Sequence, residues 1–261
     1  MERTTYNNRI ENATTNVSPR TFPLLRYNKI LNPSYSMLNQ GATRLNNLKT
    51  ILDTIRKELG KKDQIRETAQ KQMRTMTSSS KQAILLIHQK RIKEAQTLLK
   101  KAKKIHAQLS HTSATHPDII YSGMFNAALQ EYSEANIFLN LTKENHLTTP
   151  DEINVPSIDY ILGLADVIGE YRRLALDELR EGNVKKGEKH LQTMDEMYTE
   201  LMAMDESYML VPGLRRKCDV ARKIIEITRG DITQEIRRTA LEKQLQKFEQ
   251  TLRTRNRTDK T

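Results

Sequence analysis

Glu131 and Glu134 lie one helical turn apart in the stretch LQEYSEANIF, residues 129–138, which is otherwise mostly apolar or small. At about 100° per residue, Phe125, Ala128, Leu129, Tyr132 and Ala135 define an apolar face, and Asn126, Gln130, Ser133, Asn136 and Asn140 a wet one. Glu131 falls inside the apolar arc, among Met124, Ala127, Ala135 and Phe138, and Glu134 sits just beside it. A carboxylate buried without a partner is very costly, so two of them in this position require positive charge. A Lys or Arg from another helix is one source. A divalent cation is the other: Mg²⁺ or Mn²⁺ prefers carboxylate oxygens and keeps several waters, so two or three acids converging from separate helices suffice.

Several acids are candidates to complete such a site. The segment 157–181 carries an acidic stripe of Asp159, Asp166, Glu170 and Asp177, but Arg173 lies on it too, which reads as a solvated or salt-bridged face. The segment 184–206 offers Asp195, Glu196 and Glu200. Asp195 and Glu200 flank the apolar face of Met194, Met197 and Leu201, with Glu196 farther out. Spacing does not choose among these three. Other chemistries have less support. No Glu-x-x-His pair marks a di-iron carboxylate bundle, and the single Cys218 excludes a multi-cysteine zinc site and an internal disulfide. There is no phosphate-cradling glycine loop and no nucleophile elbow. His88 and His190 read as packing residues.

The elements that position these side chains are helices. In 261 residues there are 9 Gly, 7 Pro and no Trp, too few turn residues for a chain of strands. Leu48, Ile51, Leu52, Ile55 and Leu59 predict a helix ending at Gly60. A second is predicted from Ile65 to Leu109, with a break near Thr77–Ser80 and with Ile84, Leu85, Ile92, Ala95, Leu98, Ala102 and Ile105 inward. Residues 110–118 and 142–157 read as loops, with Asp118 placed to cap the helix of Glu131. Helices are then expected over 157–181, 184–206 and 211–229, closed by Gly230, and a last one in the tail. The expectation is an all-α antiparallel bundle of six to seven long helices. Residues 1–38 form a poorly ordered extension, 39–230 the helical domain, and 231–261 a helix and frayed basic tail. Met37 is an alternative native start.

The net charge of +11 points to a polyanionic partner. It is unevenly spread: Lys61–Leu109 holds 13 Lys or Arg against 3 Asp or Glu, while Glu144–Glu206 holds 6 against 15. No apolar run approaches membrane-spanning length and no secretory signal is evident, which predicts a cytoplasmic protein without a membrane partner.

Four blocks together resemble the translin superfamily, above all its translin-associated factor X branch and short prokaryotic relatives. They are SSSKQAILLIHQKR (78–91), LQEYSEA (129–135), IDYILGLADVIGEYRRLAL (158–176) and VPGLRRKCDVARKIIEITRG (211–230). The resemblance spans roughly residues 42–230 in the same order. It implies an all-helical fold assembled into a closed, hollow homo-octamer. It also implies Mg²⁺- or Mn²⁺-dependent cleavage of single-stranded RNA, with single-stranded DNA binding as well. Glu131 and Glu134 match the family's catalytic pair. The third acid, placed two residues before an aromatic, falls at Glu196 from Tyr198, or at Asp195 by chemical identity. Translin itself lacks these acids, so a binding shell without catalysis is the alternative. Lys90, Arg91, Lys93, Lys100, Lys101, Lys103 and Lys104, opposed by Glu94 alone, are the candidate phosphate contacts.

Overall fold

Ala69, Met73, Met76, Ser80, Ala83 and Ile87 recur at alternating four- and three-residue intervals and are all buried, the signature of a helix with one face in a core. The computed structural model describes residues 35–258; of the extension expected over residues 1–38, residues 1–34 lie outside the described residues, as do the last three of the chain, while residues 35–38 are already helical and open the first helix. The chain is all-α, in the order α1 (Tyr35–His88), α2 (Ile92–Ser113), α3 (Pro117–Ile120), α4 (Gly123–Glu144), α5 (Pro150–Ile153), α6 (Ser157–Arg180), α7 (Val184–Met202), a 3₁₀ turn at Asp205–Ser207, and α8 (Leu214–Thr258). It divides into two compact units, Met1–Ile55 and Arg56–Thr261. In the first, Leu45, Leu48, Leu52 and Ile55 of α1 are exposed. The second holds the site.

Within Arg56–Thr261, α6 packs against α4, α7 and α8, α7 also meets α8, and α2 lies on α3 and α4. The α4–α6 contact is unusually close because Gly163 carries no side chain: a Cβ there would stand 2.7 Å from the Gln130 carbonyl oxygen and from the Ser133 Cβ. This explains why Ser133, on the wet face by periodicity, is fully buried. The start of α6 is fixed by Tyr160, whose hydroxyl donates to the Thr148 carbonyl at 2.6 Å.

Several helix ends differ from expectation. Neither Gly60 nor Thr77–Ser80 interrupts α1. A lone glycine costs a helix about 1 kcal/mol without breaking it, and Ser79 and Ser80 are buried, small enough to let neighbours approach. The break falls at Lys90, whose φ of 61° is left-handed, and Leu85 is exposed rather than inward. The segment 142–157 contains α5, opened by a reciprocal pair in which the Thr149 hydroxyl accepts from the Glu152 N–H and the Thr149 N–H donates to the Glu152 carboxylate. Asp118 does not cap α4; it sits in α3 and pairs with Lys62 at 3.4 Å. The helix read as 184–206 stops at Met202, and Gly230 does not divide α8, which runs through the tail to Thr258.

Candidate functional site

Glu134 is the centre of the site. Its residue is 8% exposed, in the turn of α4 that meets Gly163 of α6. Three further carboxylates stand near enough for their charge to act on it: Asp166 and Glu170 of α6, and Glu131 of α4. Burial first, then these three neighbours, push the Glu134 carboxyl up to about 8, against a smaller downward pull from Lys217. The group therefore keeps its proton at neutral pH, although a glutamate in water loses it near 4.5.

Each neighbouring acid has a base of its own. Glu131 meets Lys81 of α1 at 3.1 Å, Asp166 is in direct contact with Lys217 of α8, and Glu170 meets His88 of α1 at 2.5 Å. Four helices thus converge on one group of acids. Two turns away, Asp159 is buried, accepts from the Gln130 amide at 3.3 Å, and is pushed up by burial. Asp166, with Arg216 and Lys217, also lines a groove between α6 and the start of α8.

The donor set suits a hard divalent cation: carboxylate oxygens, with one carboxyl raised first by burial and then by the charge of the others. As positioned, however, the acids are drawn toward their separate bases, and among the described residues no three Asp, Glu, His or Cys side chains form a ready-made cage.

The structure brings Glu131 and Glu134 together. Glu196 lies apart: exposed on α7, it accepts from Gln192 at 2.8 Å and is not among the charges acting on Glu134. Asp195 is held by Arg229 at 2.7 and 2.8 Å, and Glu200 is exposed. The reason is that α7 packs on α6 and α8, away from α4. Instead the acids beside Glu134 are Asp166 and Glu170 of α6, each ion-paired as the salt-bridged reading of that stripe allowed, but facing neighbouring helices. A signal was present: Asp159, Gly163, Asp166 and Glu170 recur at 4-3-4 spacing. A glycine inside a helical stripe of acids marks close approach by a neighbour, not solvent.

The basic residues sit elsewhere. Lys93, Lys100, Lys101, Lys103 and Lys104 are exposed on α2 and make no ion pair among the described residues. Lys100 and Lys103 line a groove with Asn136 and Asn140 of α4, which by helical rotation lie on the side opposite Glu134. Lys90 stands 3.9 Å from Glu181, and Arg91 is engaged with Glu94 at 2.6 and 2.7 Å.

Residues 64–250 match the model of the Translin family. The chain belongs to this family. It is 32% identical over 197 residues to an uncharacterized protein of Methanocaldococcus jannaschii, spanning 73% of this chain and 85% of that one. The fold is similar to the crystal structure of AfC3PO, with a TM-score of 0.64 and 35% identity, covering 70% of this chain and 96% of that one. It is likewise similar to AfC3PO in its duplex RNA complex, with a TM-score of 0.63 and 34% identity over 70% and 95% of the two chains. Apo-NeC3PO shares the fold at a TM-score of 0.64 and 24% identity, over 70% and 96%. Among the described residues, no helix of this translin-family protein is long and apolar enough to cross a membrane.

Proposed function

We propose that this translin-family protein binds RNA and cleaves single-stranded RNA with Mg²⁺ or Mn²⁺ held by Glu131, Glu134, Asp166 and Glu170. One observation carries the reading: three carboxylates surround the buried Glu134 where Gly163 lets α6 approach the backbone of α4. A fold gains no stability from such a cluster by itself, since like charges repel and burial penalises them. Perturbed carboxyls of this kind are typical of sites built to receive positive charge.

A divalent ion bound there would neutralise charge on the scissile phosphate and activate a water or sugar hydroxyl. The chain's own groups do the rest. Glu134 holds its proton in the free protein and gives it up when positive charge replaces the proton's role. Lys81 and Lys217 balance Glu131 and Asp166 and are the nearest cations to an approaching phosphate backbone. The exposed lysines of α2 hold more distant phosphates without reading bases. The duplex RNA complex of AfC3PO supports RNA as the ligand class.

The protein is further proposed to work as a homo-oligomer, of eight copies by family resemblance. Apolar residues left uncovered among the described residues support this: Leu241, Leu245, Phe248 and Leu252 repeat at 4-3-4 spacing on α8 and are all exposed.

The deciding experiment incubates the purified protein with labelled single-stranded and duplex RNA, in Mg²⁺ and in EDTA, beside Glu134→Gln. Cleavage that needs Mg²⁺ and disappears in the variant is the expected result. Salt-sensitive binding without cleavage makes the protein a nucleic-acid-binding shell. Neither binding nor cleavage removes the reading.

A further inference from the structure

Of the three bases that serve the carboxylate cluster, His88 is held differently from the other two. The side chains of Lys81 and Lys217 are 62% and 26% exposed, whereas that of His88 is 3% exposed. It is the last residue of α1, and its ring packs against Phe138 of α4 with centroids 5.0 Å apart. Phe138 in turn stands edge-on to Tyr171, the residue after Glu170, at 6.1 Å. This aromatic wall flanks the imidazole, whereas the side chains of the two lysines reach the cluster from more exposed positions.

The two ring nitrogens have unlike surroundings. Nε2 faces Glu170 Oε2 at 2.5 Å, and Nδ1 is buried with no hydrogen-bond partner among the described residues. A hydrogen on Nδ1 alone would leave a buried donor without an acceptor and set the Nε2 lone pair against a carboxylate oxygen. A hydrogen on Nε2 meets that oxygen directly. The geometry therefore selects the Nε2–H tautomer and makes His88 a fixed donor to one oxygen of Glu170.

We propose that His88 is a positioning residue for the cation site: its Nε2–H holds Glu170 Oε2 out of the carboxylate cluster, so that Glu170 offers the other oxygen, Oε1, to a divalent ion. This rests on reading the cluster as a metal site. Glu170 is a flexible side chain, 23% exposed, and without the donor it is free to turn toward solvent or to fold both oxygens onto the ion. A donor behind a ligating carboxylate sets its orientation, and its loss typically costs about 10- to 100-fold in metal affinity or activity.

The test titrates Mn²⁺ into the full chain by electron paramagnetic resonance, with thermal unfolding in EDTA alongside. His88→Leu fills the space without a donor, and His88→Phe replaces it if the leucine variant fails to fold. His88→Gln restores an N–H near the position of Nε2. Expected is a loss of about 10-fold or more in Mn²⁺ affinity for the donor-free variant, and recovery of most of it by glutamine. In RNA cleavage the donor-free variant should lower kcat and leave KM unchanged. Equal Mn²⁺ affinity in all three proteins, or equal loss in both variants, overturns the role of the donor. Glu134→Gln separates the two levels. If it loses Mn²⁺ while His88→Leu does not, the His88 assignment alone falls. If Glu134→Gln binds like the unaltered protein, the metal reading falls and takes His88 with it.

Discussion

Gly163 of α6 lies against the backbone of α4 at Glu134: a Cβ on Gly163 would lie 3.0 Å from the Glu134 backbone nitrogen, as well as against the Gln130 carbonyl. Gly163→Ala must therefore force the two helices apart where the carboxylates meet. Overpacking of this kind costs about 1–3 kcal/mol, which thermal unfolding will read as a lowered Tm. Gly169→Ala, on the same helix with nothing within 4 Å, is the control and should stabilise by about 0.5–1 kcal/mol. An unchanged Tm for Gly163→Ala would show that the helices slide apart freely.

The raised Glu134 carboxyl has a direct signature in pH. The unfolded chain loses this proton near 4.5, the folded chain near 8. Between those values the folded state holds a proton that the unfolded state lacks, so the stability present below the lower value declines as pH rises through the window. In EDTA the unaltered protein should lose stability across this range more steeply than Glu134→Gln, which has no proton to lose there. Binding of Mg²⁺ near pH 7 should release about one proton, measurable by calorimetry in buffers of different ionisation enthalpy. Parallel pH profiles for the two proteins would show that Glu134 is an ordinary carboxylate.

The third and fourth acids can be separated by neutral substitutions. Asp166→Asn and Glu170→Gln should abolish Mg²⁺-dependent cleavage as fully as Glu131→Gln, with RNA affinity retained. Glu196→Gln should remain active, because its carboxylate engages Gln192 on the outer face of α7. The opposite pattern would return Glu196 to the site.

Lys100, Lys101, Lys103 and Lys104 are exposed on α2 with no ion pair among the described residues. If they meet phosphates, replacing all four by Ala should flatten the dependence of log K on log[salt] by about 0.7 per lost contact on a single strand. The apparent KM should rise while the Mg²⁺ requirement stays, since the groove that Lys100 and Lys103 line lies across α4 from Glu134. Superimposable salt slopes would make this face solvent-facing alone.

Assembly should depend on the apolar row of α8. Leu245→Glu with Phe248→Glu places charge at two exposed positions and touches no buried residue, so the fold should persist while light scattering shows a smaller species. An unchanged mass would put the interface elsewhere.

What could be read from the residues followed range. The face of α4 was legible because periodicity alone defines it: Phe125, Ala128, Leu129, Tyr132 and Ala135 are all buried, although Glu134, read as just beside that face, is buried and Glu131, read as inside it, is only half-buried. The roles of Asp166 and Glu170 were not, because they are decided by Lys217 and His88, 51 and 82 residues away in sequence. Periodicity reports one helix at a time; whether a polar stripe meets water or another helix is a property of the pair. The turn at Lys90 had no residue signal at all, since neither glycine nor proline marks it. Gly60 and Gly230 misled in the other direction, as helix-interior glycines that long helices tolerate.

Helix α8 has 45 residues, about 68 Å at 1.5 Å per residue, yet Ile232 is the last residue buried among the described ones, and positions 240–253 are all exposed. One rod thus contains two regimes of backbone protection. From Leu214 to Ile232 its amides are sealed by the core and should exchange with deuterium as slowly as the domain unfolds. Beyond Thr239 the isolated chain offers local helix propensity and pairs such as Arg253 with Glu249, so those amides should exchange by fraying, orders of magnitude faster. A second copy laid along Leu241 and Phe248 would erase that gradient, and exchange measured against protein concentration would show where along the rod assembly begins.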